Sequence, residues 1–232
     1  SVYRDKGNYV KAEEYYDYCL QISKRILGSE HPDTLRTVGC LGLVNKDNGA
    51  YERAEVLLNL CLAGLERLMG FEHPVTIIFV NNLASLHEAT GNYEQSEYCY
   101  MRCFEGSNRV LGPDHPSTLV ILNNLAGLLQ KKGNHDKAET YFSQCLSARQ
   151  QLHGPEHPYT LSSVHNLGML YWEKGDTEKA KDYIWRCLEI HERLMGTEHP
   201  NTLTIVENLG LIYRDCGDLE QAKARITLSL NG

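Results

Sequence analysis

The 232-residue chain is 42% apolar and 23% charged, the balance of a soluble folded protein long enough to bury a large core. Its net charge of −7 excludes a general affinity for nucleic acid, which needs a basic footprint. No run of about 18 apolar residues occurs, so no segment is expected to insert in a membrane; no signal peptide opens the sequence, but it begins in the middle of a repeat, which leaves room for a targeting segment ahead of it.

His-Pro stands at residues 31, 73, 115, 157 and 199, always 42 residues apart. Self-similarity at a period of about 20–50 residues is the signature of a solenoid or similar array. Residues 1 to 8 read as the tail of a first helix A, closing at Gly7, and its helix B spans about Tyr9 to Leu27. Four complete helix A/helix B pairs follow, over residues 32–73, 74–115, 116–157 and 158–199, and a last pair over 200–232 ends near Leu230. Each helix A begins at the Pro of His-Pro, which suits the first helical position because the N–H it lacks has no partner there. Gly49, Gly91, Gly133, Gly175 and Gly217 mark the A-to-B turns, and Gly28, Gly70, Gly112, Gly154 and Gly196 the B-to-A turns. Pro113 and Pro155 directly follow two of these glycines and prevent the helix from continuing.

The pair at 116–157 shows the pattern most clearly. Leu119, Leu122, Leu125, Ala126 and Leu129 form one apolar stripe at helical spacing. Small residues recur where helices approach closely: Ala12, Ala54, Ser96, Ala138, Ala180 and Ala222 in helix B, and Ala84, Ala126, Gly168 and Gly210 in helix A. A large side chain in these columns is expected to overpack the interface, at about 1–3 kcal/mol. Cys19, Cys61, Cys103, Cys145 and Cys187 form a further column. Stacked helices about 8–10 Å apart put equivalent positions beyond the roughly 7 Å Cα limit for a disulfide. Buried free thiols are therefore expected, and with no Asn-x-Ser/Thr sequon they favour a cytoplasmic address.

Asn-Leu-Ala/Gly in helix A, with Gly-Asp/Asn-Tyr, Ala and then Cys in helix B, resembles a tetratricopeptide repeat (TPR). The 42-residue period, with Leu/Met-Gly-x-Glu/Asp-His-Pro-x-Thr-Leu and Asn-Asn-Leu-Ala, is similar to the kinesin light chain repeat, a variety also carried by nephrocystin-type and microbial signalling proteins. The resemblance covers the whole chain. It implies an all-α fold, a right-handed α-α superhelix of about six helix pairs, the first incomplete, forming one array over residues 1–232. Neither end looks capped, so more protein on at least one side, or self-association, is expected.

Nothing in the chain proposes a reaction, and an enzyme is not expected. Phosphate-binding, nucleophile-elbow and His-Glu-x-x-His motifs are absent. The five repeated His are too far apart to share a metal, whose ligands must lie about 2 Å away, and are read as fixing the entry to helix A. No cofactor is implied.

Mid-helix Asn is a poor helix former, yet Asn82, Asn124, Asn166 and Asn208 share one helix A position, with Asn81, Asn123, His165 and Glu207 beside them. The resemblance implies that this column faces the concave groove and hydrogen-bonds the backbone of an extended peptide. A carboxamide both donates and accepts, so it suits a peptide bond without reading the side chain. The alternative is that these Asn bond a neighbouring helix and hold the stack; both roles are compatible. Ile78, Val120, Ser162 and Thr204 lie one turn before the column, and Met169, Trp172 and Arg214 after it, the last three offering contact-rich anchors. Trp172 is equally compatible with packing between helices. The first full repeat has Gly39-Cys40 in place of Asn-Asn, so the ladder is expected to stop there, and basic groove candidates are confined to Arg36, Lys46, Lys131 and Arg214. The function so implied is a scaffold or adaptor that binds a protein or peptide partner. The alternative is an oligomerising or sensor segment of a larger signalling protein.

Overall fold

The computed structural model describes residues 7–217 and residue 220. The expected tail of the first helix A and the end of the last pair, with Ala222 and Leu230, lie outside the described residues. Within them the chain is a succession of α-helices: α1 (Tyr9–Leu27), α2 (Pro32–Asp47), α3 (Tyr51–Met69), α4 (Pro74–Ala89), α5 (Tyr93–Leu111), α6 (Pro116–Lys131), α7 (His135–His153), α8 (Pro158–Glu173), α9 (Thr177–Met195) and α10 (Pro200–Asp215). Even-numbered helices are the A helices and odd-numbered ones the B helices.

Each A helix stops two residues short of the glycine that marks its turn. Gly49, at φ +79°, is the left-handed residue that closes α2: its N–H donates to the Lys46 carbonyl at 3.0 Å, and the Ala50 N–H to the Asn45 carbonyl at 2.9 Å. This is the Schellman pattern, and it satisfies carbonyls that the helix leaves open. The same bonds recur at Asn92 to His87, Asn134 to Leu129 and Asp176 to Tyr171.

At the other end of each A helix the repeated His is the N-cap. The Nδ1 of His31, His73, His115, His157 and His199 accepts the backbone N–H two residues on, at 3.2 Å in every case. An N-cap acceptor satisfies one of the four open donors at a helix start. His at this position is outside the usual Ser/Thr/Asp/Asn set, and its use as an acceptor requires a neutral ring with Nδ1 unprotonated. The Thr that follows by three residues ties the preceding B helix to this start: Thr160 and Thr202 donate to the Gly154 and Gly196 carbonyls at 2.8 and 2.9 Å.

The chain divides into two compact units, residues 1–121 and 122–232. In the first, α1, α2, α3, α4 and α5 pack each on the next; in the second, α7, α8, α9 and α10 do the same. The small-residue columns sit at these contacts as expected. Ala12, Ala54, Ser96, Ala138 and Ala180 are fully buried, and the Ser96 hydroxyl donates to the Ala84 carbonyl at 2.8 Å. The cysteine column is equally buried from Cys61 to Cys187, while Cys19 is exposed; all eight thiols are free. Cys103 and Cys187 donate weakly to the Ile77 and Leu161 carbonyls of the paired A helix. Burial pushes the Cys61 and Cys187 thiols up to about 12 and Cys145 up to about 11, so they stay protonated and act as small hydrophobic fillers. Cys99 and Cys103, which share a face of α5, are held up by burial in the same way. His87 of α4 is buried at 6% exposure.

Candidate functional site

Asn81, Asn82, Asn123, Asn124, His165, Asn166 and Asn208 are all half-buried on their A helices, and Glu207 is exposed. This places the column at the boundary between wall and solvent, where a carboxamide can serve both. In the second unit the wall contacts are explicit. Asn166 Nδ2 donates to Asn123 Oδ1 at 3.1 Å, joining α8 to α6. Asn208 Nδ2 lies 2.9 Å from His165 Nε2 and donates to it, joining α10 to α8. Both bonds link one repeat's Asn to the residue just before the equivalent Asn in the preceding repeat. The structure therefore brings the two columns together as a cross-repeat ladder, the stack-holding alternative of the two roles. The residue that would partner Asn82 in this register is Gly39, which has no side chain.

His165 accepts from Asn208, so its ring is neutral and carries its proton on Nδ1. Burial depresses its pKa below the ordinary His value; a hydrogen bond with Asn166 opposes this and His191 adds to it.

The remaining predicted residues lie farther along the A helices. Met169 is half-buried on α8. The Trp172 indole N–H donates to Asp215 Oδ2 at 3.2 Å, and Arg214 donates to the same carboxylate through Nε and Nη2 at 3.1 and 3.0 Å. Asp215 thus joins the two expected anchors and neutralises the cation. Sequence reasoning passed over it, although it directly follows Arg214. In the first unit, Lys46 Nζ donates to Ser85 Oγ at 2.8 Å, again between neighbouring repeats, and Arg36 pairs with Asp33.

On this face each unit carries a cleft. One, of about 250 Å3, lies in the first unit between Ile78 and Asn81 of α4, Ser107 of α5 and Val120 and Ile121 of α6. The other, of about 260 Å3, lies in the second unit between Ser162 and His165 of α8, His191 of α9 and Thr204 and Ile205 of α10. The residues one turn before the Asn column, Ile78, Val120, Ser162 and Thr204, line these clefts in pairs.

A second feature of the second unit was missed from sequence. Arg149 of α7 is only 5% exposed, and its Nη1 donates to Ser163 Oγ at 2.8 Å, to the Tyr159 carbonyl at 3.1 Å and to Asn123 Oδ1 at 3.4 Å. Aligning the B helices by 42 residues gives Ser23, Leu65, Ser107, Arg149 and His191, so the signal was the lone Arg in that column. Among the described residues no cluster of three or more metal-ligating side chains is present, and no helix is long and apolar enough to cross a membrane.

Profiles of the tetratricopeptide repeat match residues 1–67, 76–129, 117–190 and 204–226. No curated protein sequence matches the chain. Among solved structures, the chain is similar to BtubC (BKLC) from P. vanneervenii, at TM-score 0.76 and 22% identity over 100% of this chain and 93% of that one. It is also similar to the nearly identical TPR-like repeats of a Podosopora anserina protein described as a kinesin light chain, at TM-score 0.70 and 24% identity over 83% and 92%. A third is NprR in complex with its cognate peptide NprX, at TM-score 0.69 and 16% identity over 99% and 63%. Identities at this level speak for a shared fold alone.

Proposed function

The chain belongs to the tetratricopeptide repeat family, a fold of protein-interaction scaffolds, and we propose that it binds an extended segment of a partner protein on the face formed by its A helices. The observation that carries this reading is the half-buried carboxamide column. Each carboxamide can form up to four hydrogen bonds, and Asn208 uses one against His165 while remaining half-exposed. The wall contact fixes the amide's orientation, and its open side suits the alternating N–H and C=O of an extended main chain. The flanking clefts are sized for side chains. NprR, which shares the fold over 63% of its length, forms a complex with a peptide, which is consistent with this use. Eight free thiols suit a reducing compartment such as the cytoplasm.

The test is to select binders from a displayed library of unstructured peptides and measure their affinity for the chain and for the double substitution Asn124→Ala, Asn166→Ala. Losing two hydrogen bonds at about 1 kcal/mol each is expected to weaken binding roughly thirtyfold. Unchanged affinity in a folded double variant would remove the Asn column from the site.

A second reading is an array that contacts copies of itself. It is favoured by Val56, Leu60 and Tyr98 on the B helices, exposed at 67%, 56% and 63%. Light scattering separates the two, since a monodisperse monomer at high concentration would rule against self-assembly.

A further inference from the structure

One place is built differently in each of the 74–115, 116–157 and 158–199 repeats. In the 74–115 repeat the B-helix residue there is Ser107, whose hydroxyl lies 2.7 Å from that of Thr118. Its short side chain leaves open the 250 Å3 cleft, with Asn81 on one wall and Ile121 on the other. In the 158–199 repeat the residue is His191. Its ring turns back along α9, with Nδ1 2.9 Å from the Cys187 carbonyl, and the 260 Å3 cleft stays open between His165 and Ile205. In the 116–157 repeat the residue is Arg149. Asn123, which it bonds, is the equivalent of Asn81 and His165; Ser163, which it also bonds, is the equivalent of Ile121 and Ile205. A single guanidinium thus bridges the two walls that stand apart in the 74–115 and 158–199 repeats.

The lining follows the same division. Ile at positions 121 and 205 offers no acceptor, whereas Ser163 and Asn123 both accept from Arg149. A buried guanidinium is costly unless its N–H groups are paired, so Arg149, Asn123 and Ser163 make sense only together.

We propose that Arg149 is a specificity-determining plug: it fills the side-chain cleft of the 116–157 repeat, so that a partner's side chains are taken up at the Ser107 cleft or at the His191 cleft and not at the plugged one. The proposal rests on the A-helix face being the binding face. The Ser107 cleft takes an uncharged aliphatic side chain. Ile77, Ile78, Leu111, Val120 and Ile121 supply most of its wall and no lining residue is charged, so a carboxylate or ammonium would lose its water without a counter-charge.

The probe is N-acetyl-leucinamide, with N-acetyl-glutamate amide as its charged counterpart, followed by 1H–15N chemical shifts of the whole chain. Against the native protein, the leucine probe is expected to shift the amides of Ile78, Asn81 and Ser107 saturably and to leave Asn123, Tyr159 and Ser163 in place. Arg149→Ser should add saturable shifts at those three residues, while Arg149→Met, which keeps the bulk, should not. The reverse transplant, Ser107→Arg with Ile121→Ser, should abolish the shifts at Ile78 and Asn81. The proposal is overturned if the native protein responds as strongly at Asn123 and Ser163 as at Asn81. It is also overturned if the glutamate probe fills the Ser107 cleft equally well, if a folded Arg149→Ser opens nothing, or if the transplant leaves the shifts intact. Should Arg149→Ser fail to fold, the transplant alone decides. No peptide partner enters the measurement, so failure of the carboxamide reading leaves this result standing.

Discussion

At the scale of single residues, the wall contacts of the Asn column can be separated from the binding role proposed for it. Asn123→Ala removes the acceptor for Asn166 and Arg149 but leaves the Asn166 amide itself in place. It is expected to lower stability by about 1–3 kcal/mol, the cost of stranding buried partners, while a selected peptide still binds; urea melts and titration calorimetry on the same sample check this. His165 gives the face a dependence on pH. Burial, first, holds its imidazole below the ordinary value of 6.5, so the unfolded chain takes up the proton before the folded one does. The stability it contributes is full above that value and is lost as pH falls toward the lower folded value. Urea midpoints taken between about pH 7.5 and about pH 5.5 should fall more steeply for the native chain than for His165→Asn, which restores the residue found at Asn81 and Asn123. Equal slopes would contradict the assignment.

At the scale of elements, glycines that look alike in the repeat serve opposite ends. A Cβ added at Gly168 of α8 would lie 2.6 Å from Ile184 Cδ1 of α9, whereas one added at Gly127 of α6 meets nothing within 4 Å. Gly168→Ala is therefore expected to destabilise by about 1–3 kcal/mol through overpacking. Gly127→Ala should instead stabilise by about 0.5–1 kcal/mol, because it restricts the unfolded chain in a helix interior with space to spare. Thermal melts of the two variants should move in opposite directions. The His caps can be tested in the same way. His115→Ala leaves the Ser117 N–H without its acceptor and should cost about 0.5–2 kcal/mol, with His115→Asn recovering most of it.

At the scale of the whole molecule, the helices of each unit pack chiefly on their neighbours in sequence, so stability is expected to be close to a sum of local terms. Leu58→Ala, at a fully buried position of α3, should cost about 2–5 kcal/mol. Hydrogen exchange should show that loss between about Pro32 and Ala89, with α8 to α10 keeping most of their protection; a uniform loss over the whole chain would contradict the nearest-neighbour picture.

The sequence by itself determined the period, the order of helices, the turn glycines, the His-Pro helix starts and the small-residue columns. Each of these is a local or periodic constraint: a left-handed turn needs Gly, a first helical residue tolerates Pro, and a close helix contact admits only Ala, Ser or Gly. Which polar side chains meet was decided by the tertiary structure alone. Asn166 with Asn123, Asn208 with His165, Trp172 with Asp215 and Arg149 with Ser163 are partners from different helices, most of them 43 residues apart. Their meeting depends on the rotation of one A helix against the next and on rotamers set by packing, and a period alone carries neither.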